Sequence, residues 1–336
     1  NAPTINDANH QRNLFYLNLS KAVCAELAGM IWTDQTEVTV STVGYEDAEE
    51  DPLQNFVNKV LKKNAFTEKM QEAIEQSAAL GGEALKVWRE VRHDSEGREV
   101  PNSECLKIGF CMADQFVPTA WDNAQVTEGV FISRQAKGGY YYTRLEWHKW
   151  DGLTYVITNE LYRADKFKMG TTEAQDILGF RVPLAELFPM LEEETTITEL
   201  EGSLFSYFRP PVANNLDDNS PLGVSIYANA LETLHALDIC FDSFVREFRL
   251  GKKRNIVPAR AVRSVVDPLT GAQRRYFDPG DETYEALASD DPADLKITDN
   301  TVVLRVEEHI SALNAFLSIL CLQLGFSAST FSFDEK

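Results

Sequence analysis

Positive charge is scarce in this chain. Its 336 residues hold 32 Lys and Arg against 52 Asp and Glu, a formal net charge of −20. A protein that wraps nucleic acid by general charge attraction needs the opposite sign, because neutralising phosphates takes cations. The acidic balance suits instead a surface that a polyanion passes without sticking. Cysteine is also sparse, at five residues: Cys24, Cys105, Cys111, Cys240 and Cys321. The odd count and the lack of any CxxC argue against a disulfide framework and a structural zinc site, and they point to a reducing compartment. Cys240 and Cys321 fall in apolar helical patterns and read as small core residues. No Walker A motif is present, so ATP hydrolysis is not expected. HExxH and GxSxG are missing too. ALGGEAL is a helix stop at Gly81-Gly82 and not a dinucleotide fingerprint. The five histidines, His10, His93, His148, His235 and His309, are scattered. Glu307, Glu308 and His309 are consecutive, so a helix fans them apart and no metal site is expected there. No cofactor is expected. Nothing approaches the roughly 20 apolar residues that span a bilayer; the run Ile310 to Leu324 is broken by Ser311, Asn314, Ser318 and Gln323. The first residues, NAPTINDANHQRN, are polar and unlike a signal peptide.

Apolar residues are not lacking. At 44% they suffice for a core, and the length fits one large or two moderate domains. Residues 11–32 carry Leu14, Leu17, Val23, Leu27 and Ile31 at helical spacing. EVTVSTV, Glu37 to Val43, alternates like a strand. Asp51-Pro52 opens a helix by capping, with Leu53, Phe56, Val57, Val60 and Leu61 on one face. Thr67 is placed to cap a further helix ending at Gly81-Gly82. From Glu83 to Arg163, EALKVWREVR, SECLKIGFCM, TEGVFISR, YYYTRLEWHKW and LTYVITNELYR are β-branched and aromatic. Ser95-Glu96-Gly97, Gly138-Gly139 and Asp151-Gly152 separate them, which predicts an antiparallel meander. An acidic stretch from Glu192 to Glu201 precedes another strand, SLFSYFR, and PPVANNLDDNSP then breaks the chain near residue 218.

Beyond the break, Ser220-Pro221 signals a helix start. A narrow heptad-like stripe follows through Ile226, Ala230, Leu234, Leu237, Phe241, Phe244 and Phe248. Glu232, His235, Asp242, Arg246 and Glu247 fall on the other face, with Asp242 and Arg246 one turn apart. The helix ends at Gly251, and Lys252, Lys253 and Arg254 complement its negative end. Such a helix reaches on the order of 40 Å. A second helix, VEEHISALNAFLSILCLQLGF, repeats the spacing with Val306, Ile310, Leu313, Leu317, Leu320 and Leu324. Phe316 and Ile319 add a further apolar face. The roughly fifty residues between the helices far exceed an ordinary helix connection. They include a hairpin, VRSVVDPLTGAQRRYF, turning at Asp267 to Gly271, and the acids Asp281, Glu282, Glu285, Asp290, Asp291 and Asp294.

Two side-chain sets bear on function. Glu146, Trp147, His148 and Trp150, with Glu160 on the next strand, could form the two-carboxylate cleft of a carbohydrate-active hydrolase; otherwise they are the two faces of ordinary strands. Lys252, Lys253, Arg254, Arg260, Arg263, Arg274 and Arg275 reverse the local sign in an acidic protein. They serve either as helix-end complement and solvated hairpin or as a surface proximal to DNA or to a motor. No aromatics interleave with them, which argues against single-strand stacking. A helical module binding duplex DNA fits the acidic balance poorly.

SAALGGEALKV (Ser77 to Val87), ADQFVPTAWDN (Ala113 to Asn123), YYTRLEWHKWDGLTYVITNELYR (Tyr141 to Arg163), NNLDDNSPLGVSIYANALETLHALD (Asn214 to Asp238), FVREFRLGKKRNIVP (Phe244 to Pro258) and LGFSASTFSFD (Leu324 to Asp334) occur in this order. Together they resemble the portal proteins of tailed bacteriophages, in the portal or minor capsid branch from phages and prophages of Gram-positive hosts. The resemblance implies an α+β fold: a wing body of antiparallel sheet and helices over 1–218, a first stem helix over 219–254, a small β-containing clip over 255–302 and a returning helix over 303–336. It implies a non-enzymatic structural subunit, with a homo-oligomeric ring, usually of twelve, at one capsid vertex of the virion, assembled in the host bacterial cytoplasm. Double-stranded DNA would pass its channel, and terminase motor, head–tail adaptor and capsid proteins would be its partners, with no membrane. The basic set above becomes the DNA- or motor-proximal patch. Ile226, Leu234, Leu237, Phe241, Phe244, Phe248, Leu313, Leu317 and Leu320 become the stripe for packing within and between subunits. Family members continue with a further mainly helical region that these 336 residues do not include.

Overall fold

The computed structural model describes residues 14–33, 35–40, 51–90, 105–123, 125–165, 178–251 and 303–333, with the backbone of 2–3, 11–12, 254–256, 263–266, 273–276 and 298–300. Helices and antiparallel sheets are mixed, as the α+β expectation has it. The chain divides into two units, Asn18–Leu231 on the one hand and Asn1–Leu17 with Glu232–Lys336 on the other.

At the N-terminus, β1 (Ala2–Pro3) and β2 (Gln11–Arg12) pair antiparallel. Helix α1 runs Leu19–Ile31, shorter than the expected 11–32. Asn18 stands before it in the left-handed region (φ 55°), a conformation asparagine tolerates. The preceding amides are engaged elsewhere: Phe15 N–H donates to Asp242 Oδ1 (3.3 Å) and Leu17 N–H to Asp238 Oδ1 (3.0 Å). Helix α2 (Pro52–Lys63) starts as the sequence predicts, with Asp51 Oδ1 accepting from Leu53 N–H at 2.8 Å. Its buried positions are Gln54 and Val60, however, while Leu53 and Phe56 are exposed. Helix α3 (Phe66–Leu80) follows Ala65 at φ 49° without a side-chain cap. Thr67 lies inside its first turn, and its carbonyl accepts from Trp32 Nε1 (3.0 Å), so the expected cap at Thr67 is replaced by a tertiary contact. Gly81 ends α3 at φ 91°. A Cβ there would lie 2.6 Å from the Gly223 carbonyl oxygen, so both conformation and space require glycine.

The strands follow the expected order. A three-stranded sheet, ordered β11-β3-β4, contains β3 (Glu83–Arg89), β4 (Leu106–Met112) and β11 (Phe205–Phe208). The six-stranded sheet is a meander of β5 (Phe116–Asp122), β6 (Gln125–Lys137), β7 (Tyr140–Asp151) and β8 (Thr154–Asp165). Both β9 (Phe180–Val182) and β10 (Glu194–Ile197) pair with β8. The meander is therefore two sheets and not one, and β10 arises from a stretch whose acidity hid its alternation. Gly138 and Gly139, at φ 58° and 86°, make the β6–β7 hairpin turn, where both central residues need positive φ. Ala84, Phe116, Val126, Phe131 and Phe205 from the two sheets form one core cluster, with Cys111 and Tyr207 packed on it. Phe116 lies 4.9 Å from Phe131 and 5.3 Å from Phe205, centroid to centroid. Each such ring contributes about 2–3 kcal/mol by leaving water.

The predicted strand Glu37–Val43 is not in a sheet over its described residues, 37–40. Gln54 takes the place of a partner strand: its Oε1 accepts from Val40 N–H (2.6 Å) and its Nε2 donates to Val38 O (2.9 Å). Asn64 does the same for the outer edge of β4, accepting from Ile108 N–H (3.1 Å) and donating to Leu106 O (3.0 Å).

The helix expected from Ser220 begins instead as α4 at Leu231 and ends at Leu250, 20 residues or about 30 Å. The residues from Ser220 to Tyr227 are held outside any helix by local and tertiary bonds, and a 3-10 turn at Ala228–Ala230 leads into α4. Ser220 Oγ accepts from Leu222 N–H, Arg209 donates to Pro221 O, and Ile226 N–H donates to Ala78 O at 3.0 Å. Helix α5 (Val306–Leu324) forms as predicted and stops at Gly325, φ 76°. Between the two helices, β12 (Arg254–Ile256) pairs with β15 (Thr298–Asn300), and β13 (Arg263–Val266) pairs with β14 (Gln273–Tyr276) as the expected hairpin. The hairpin's turn, the acids from Asp281 to Asp294, and the turn at Ser95-Glu96-Gly97 lie outside the described residues.

Candidate functional site

The enzyme-like cluster resolves into a cross-sheet ion network. Strand alternation puts Arg144, Glu146 and His148 on one face of β7. Lys86, from β3 of the other sheet, reaches Glu146 with Nζ 2.9 Å from both carboxylate oxygens, and Arg144 Nη2 donates to Oε2 at 2.6 Å. His148 Nε2 lies 2.9 Å from Glu146 Oε1 and its Nδ1 lies 2.8 Å from the Tyr155 hydroxyl. Leu204 N–H in turn donates to that hydroxyl at 3.3 Å. With the proton of a neutral imidazole on Nε2, these contacts form a relay: amide to Tyr155, Tyr155 to Nδ1, Nε2–H to the carboxylate. Burial disfavours a charge on Glu146, but the His148 hydrogen bond and the Lys86 and Arg144 cations outweigh it, and the carboxyl is held down to about 2. Glu160 is elsewhere. The β7–β8 register pairs Glu146 with Asn159 and Leu145 with Glu160, so the two carboxylates project from opposite faces of the sheet. A two-carboxylate cleft needs both on one side of a sugar ring, and this pair cannot supply it. Trp147 and Lys149 lie together, with the ammonium 4.2 Å from the ring.

Sequence reading missed Glu83, at the head of β3. It is 1% exposed, its Oε2 has no partner, and burial pushes its carboxyl up to about 7. No pattern of neighbours in the sequence marks it.

In the helical unit the polar face of α4 is not all solvated. Asp242 is 3% exposed and, with Asp238, holds the extended segment Phe15–Leu17. Arg249 stacks on the Phe15 ring at 4.9 Å. Near the ends flanking the β12–β15 pair, Glu247 joins α4 to α5. It accepts from Arg305 Nη2 (2.8 Å), Arg305 Nε (3.1 Å) and Arg305 N–H (3.2 Å), and lies 3.0 Å from His309 Nε2. The Arg305 and His309 hydrogen bonds hold its carboxyl down to about 2. His309 also stacks on Phe244, 5.1 Å between centroids. Gly251 meets Leu304 where a Cβ would come within 2.5 Å of Leu304 Cδ2.

The predicted stripe divides by exposure. Leu237, Leu313, Leu317 and Leu320 are buried within the chain; Leu234, Phe241 and Phe244 are half-buried; Phe248 is exposed; and Ile226 is half-buried ahead of the helix. Ile239, Ile319 and Leu322 are exposed, Leu322 to 81%. Of the basic set, Lys252, Lys253 and Arg260 lie outside the described residues. Arg254 stands opposite Asn300, Arg263 opposite Tyr276, Arg274 opposite Val265 and Arg275 opposite Ser264. Among the described residues no group of three or more His, Cys, Asp or Glu is placed to hold a metal, and no helix is long and apolar enough to cross a membrane.

No curated protein matches the chain. A family model does, over residues 4–333, and its description is "Phage portal protein, SPP1 Gp6-like". The match spans the sandwich, both helices and the insertion between them, and on that extent the chain belongs to the SPP1 Gp6-like family of phage portal proteins.

Proposed function

We propose that these residues carry the wing, stem and clip of a portal subunit. The chain is a portal protein: copies of it form the ring through which double-stranded DNA enters and leaves the capsid, at the capsid vertex of the virion. Its partners are those of portal rings in general: further copies, capsid proteins, DNA and the terminase motor. Its role is structural. In the finer reading the wing is the body up to about residue 218, the stem comprises α4 and α5, and the clip is the insertion of about 255–302. The ring is twelve-fold, belongs to a phage or prophage of a Gram-positive host, is assembled in the host cytoplasm, and later meets a head–tail adaptor.

The observation that supports this layout is the pairing of β12 with β15. Those strands close the insertion at its base, so the chain leaves α4, builds a β-containing tip and returns to α5 at neighbouring positions. The buried part of the stripe, Leu237 with Leu313, Leu317 and Leu320, serves the interior of the subunit. The exposed apolar residues Phe248, Ile319 and Leu322 are left for neighbouring copies. The cations Lys252, Lys253, Arg254, Arg260, Arg263, Arg274 and Arg275 line the DNA- or motor-proximal end. Replacing residues 257–297 by a short Gly-Ser turn between β12 and β15 tests the assignment. The shortened subunit should still form rings and should lose binding to its terminase; rings that still bind the motor would refute the clip.

A further inference from the structure

The segment Glu37–Val40 lies in no sheet among the described residues. Its inner edge is satisfied by Gln54, which takes Val38 O and Val40 N–H. In an extended chain alternate residues direct their amide and carbonyl to the same side. The N–H and C=O of Glu37 and Thr39 therefore point the other way, and Glu37, Val38 and Thr39 are exposed. Two other edges in the Asn18–Leu231 unit are blocked. Strand β4 is capped by Asn64. Strand β5 carries Pro118 and an irregular register on either side of Ala120, devices that block edge pairing. On the outer side of β8 the six-stranded sheet ends in two open strands, the three-residue β9 and β10, the latter with Glu194, Thr195 and Thr196 exposed.

We infer that in the ring the open edge Glu37–Val40 of one subunit pairs antiparallel with the open edge of β10 in a second copy of this chain, continuing the neighbour's six-stranded sheet. The inference rests on the portal reading for the presence of that second copy. The two edges are different elements, so the contact is heterologous, and a heterologous contact that closes makes a ring and not a two-fold dimer. Hydrogen bonding restricts the register. Asn159 N–H donates to Glu193 O (2.8 Å), so Glu193 and Thr195 face β8, while Glu194 and Thr196 turn outward. Outward groups meet outward groups when Thr39 stands opposite Glu194 and Glu37 opposite Thr196. No two carboxylates then face each other directly; a parallel pairing that set Glu37 against Glu194 would oppose like charges. Val38 falls opposite Thr195 as a non-hydrogen-bonded pair, the closer of the two kinds.

The full chain carrying Val38→Cys and Thr195→Cys, mildly oxidised after assembly, tests this. A covalent ladder of dimers, trimers and larger species on a non-reducing gel is expected, with neither single cysteine variant producing one. Thr39→Pro removes one outward amide and touches neither Gln54 bond. It should keep the parent's circular dichroism and thermal unfolding while the rings seen by electron microscopy disperse. Rings without a ladder, together with rings from a natively folded Thr39→Pro variant, would overturn the edge pairing and leave the portal reading standing. A parent chain that makes no rings would overturn both.

Discussion

Two carboxylates in different regions are built from the same parts. In the sandwich, Glu146 binds Lys86, Arg144 and His148; in the helical unit, Glu247 binds Arg305 and His309. Both are held down to about 2. Their surroundings differ. Glu146 sits between two sheets, where the cations around it are largely out of water. Arg305 is two-thirds exposed, so solvent and salt stand ready to replace Glu247. Removing one partner from a buried pair strands the other charge, whereas an exposed pair loosens at little expense. The sandwich uses ion pairing to fix how its sheets meet. The helical unit uses it to tie α4 to α5 through an arginine that stays in water.

That comparison can be broken by substitution. Glu146→Gln leaves Lys86 and Arg144 without their carboxylate and should lower stability by about 3–5 kcal/mol, read as a drop in the urea midpoint of the Asn18–Leu231 transition in the whole chain; a change under 1 kcal/mol would make the network decorative. Glu83 gives the next effect, with the opposite pH sign. Its folded value of about 7 lies above the ordinary 4.5, so the stability it contributes is complete below pH 4.5 and is lost as pH rises through 7. The span is on the order of 3 kcal/mol. Thermal melts from pH 4.5 to 8 should show that loss, and Glu83→Gln should flatten it. Asp238→Asn with Asp242→Asn weakens two hydrogen bonds to charged acceptors and should cost about 1–3 kcal/mol, seen as faster proteolysis before Leu19. Glu247→Gln should change global unfolding least, and 0.5 M salt should mask its effect while leaving that of Glu146→Gln intact. For both Glu146 and Glu247 the depressed values place the stabilisation above pH 4.5, with its loss as pH falls through about 2.

What the sequence made legible was local chemistry. The Asp51-Pro52 cap, the Gly81 and Gly325 stops, the Gly138-Gly139 turn and the run of strands all rest on preferences within a few residues. What it hid were contacts across the chain. Ser220-Pro221 has every mark of a helix start, yet Arg209 and Ala78 hold the backbone there in another form. Val38 and Val40 alternate like a sheet strand, yet a glutamine fourteen residues on takes the partner's place. The cluster around Glu146 was visible as strand alternation, but its decisive cation, Lys86, comes from the other sheet sixty residues earlier. The family likeness was readable because it rests on several ordered segments at once, and the match over residues 4–333 agrees with it.

The central claim is assembly into a ring around a DNA-sized channel. Electron microscopy of the purified chain, with class averages viewed down the axis, tests it most directly. The account predicts closed rings of uniform diameter with a central hole wide enough for a duplex. A homogeneous population of monomers, under conditions where the chain is folded, would contradict it.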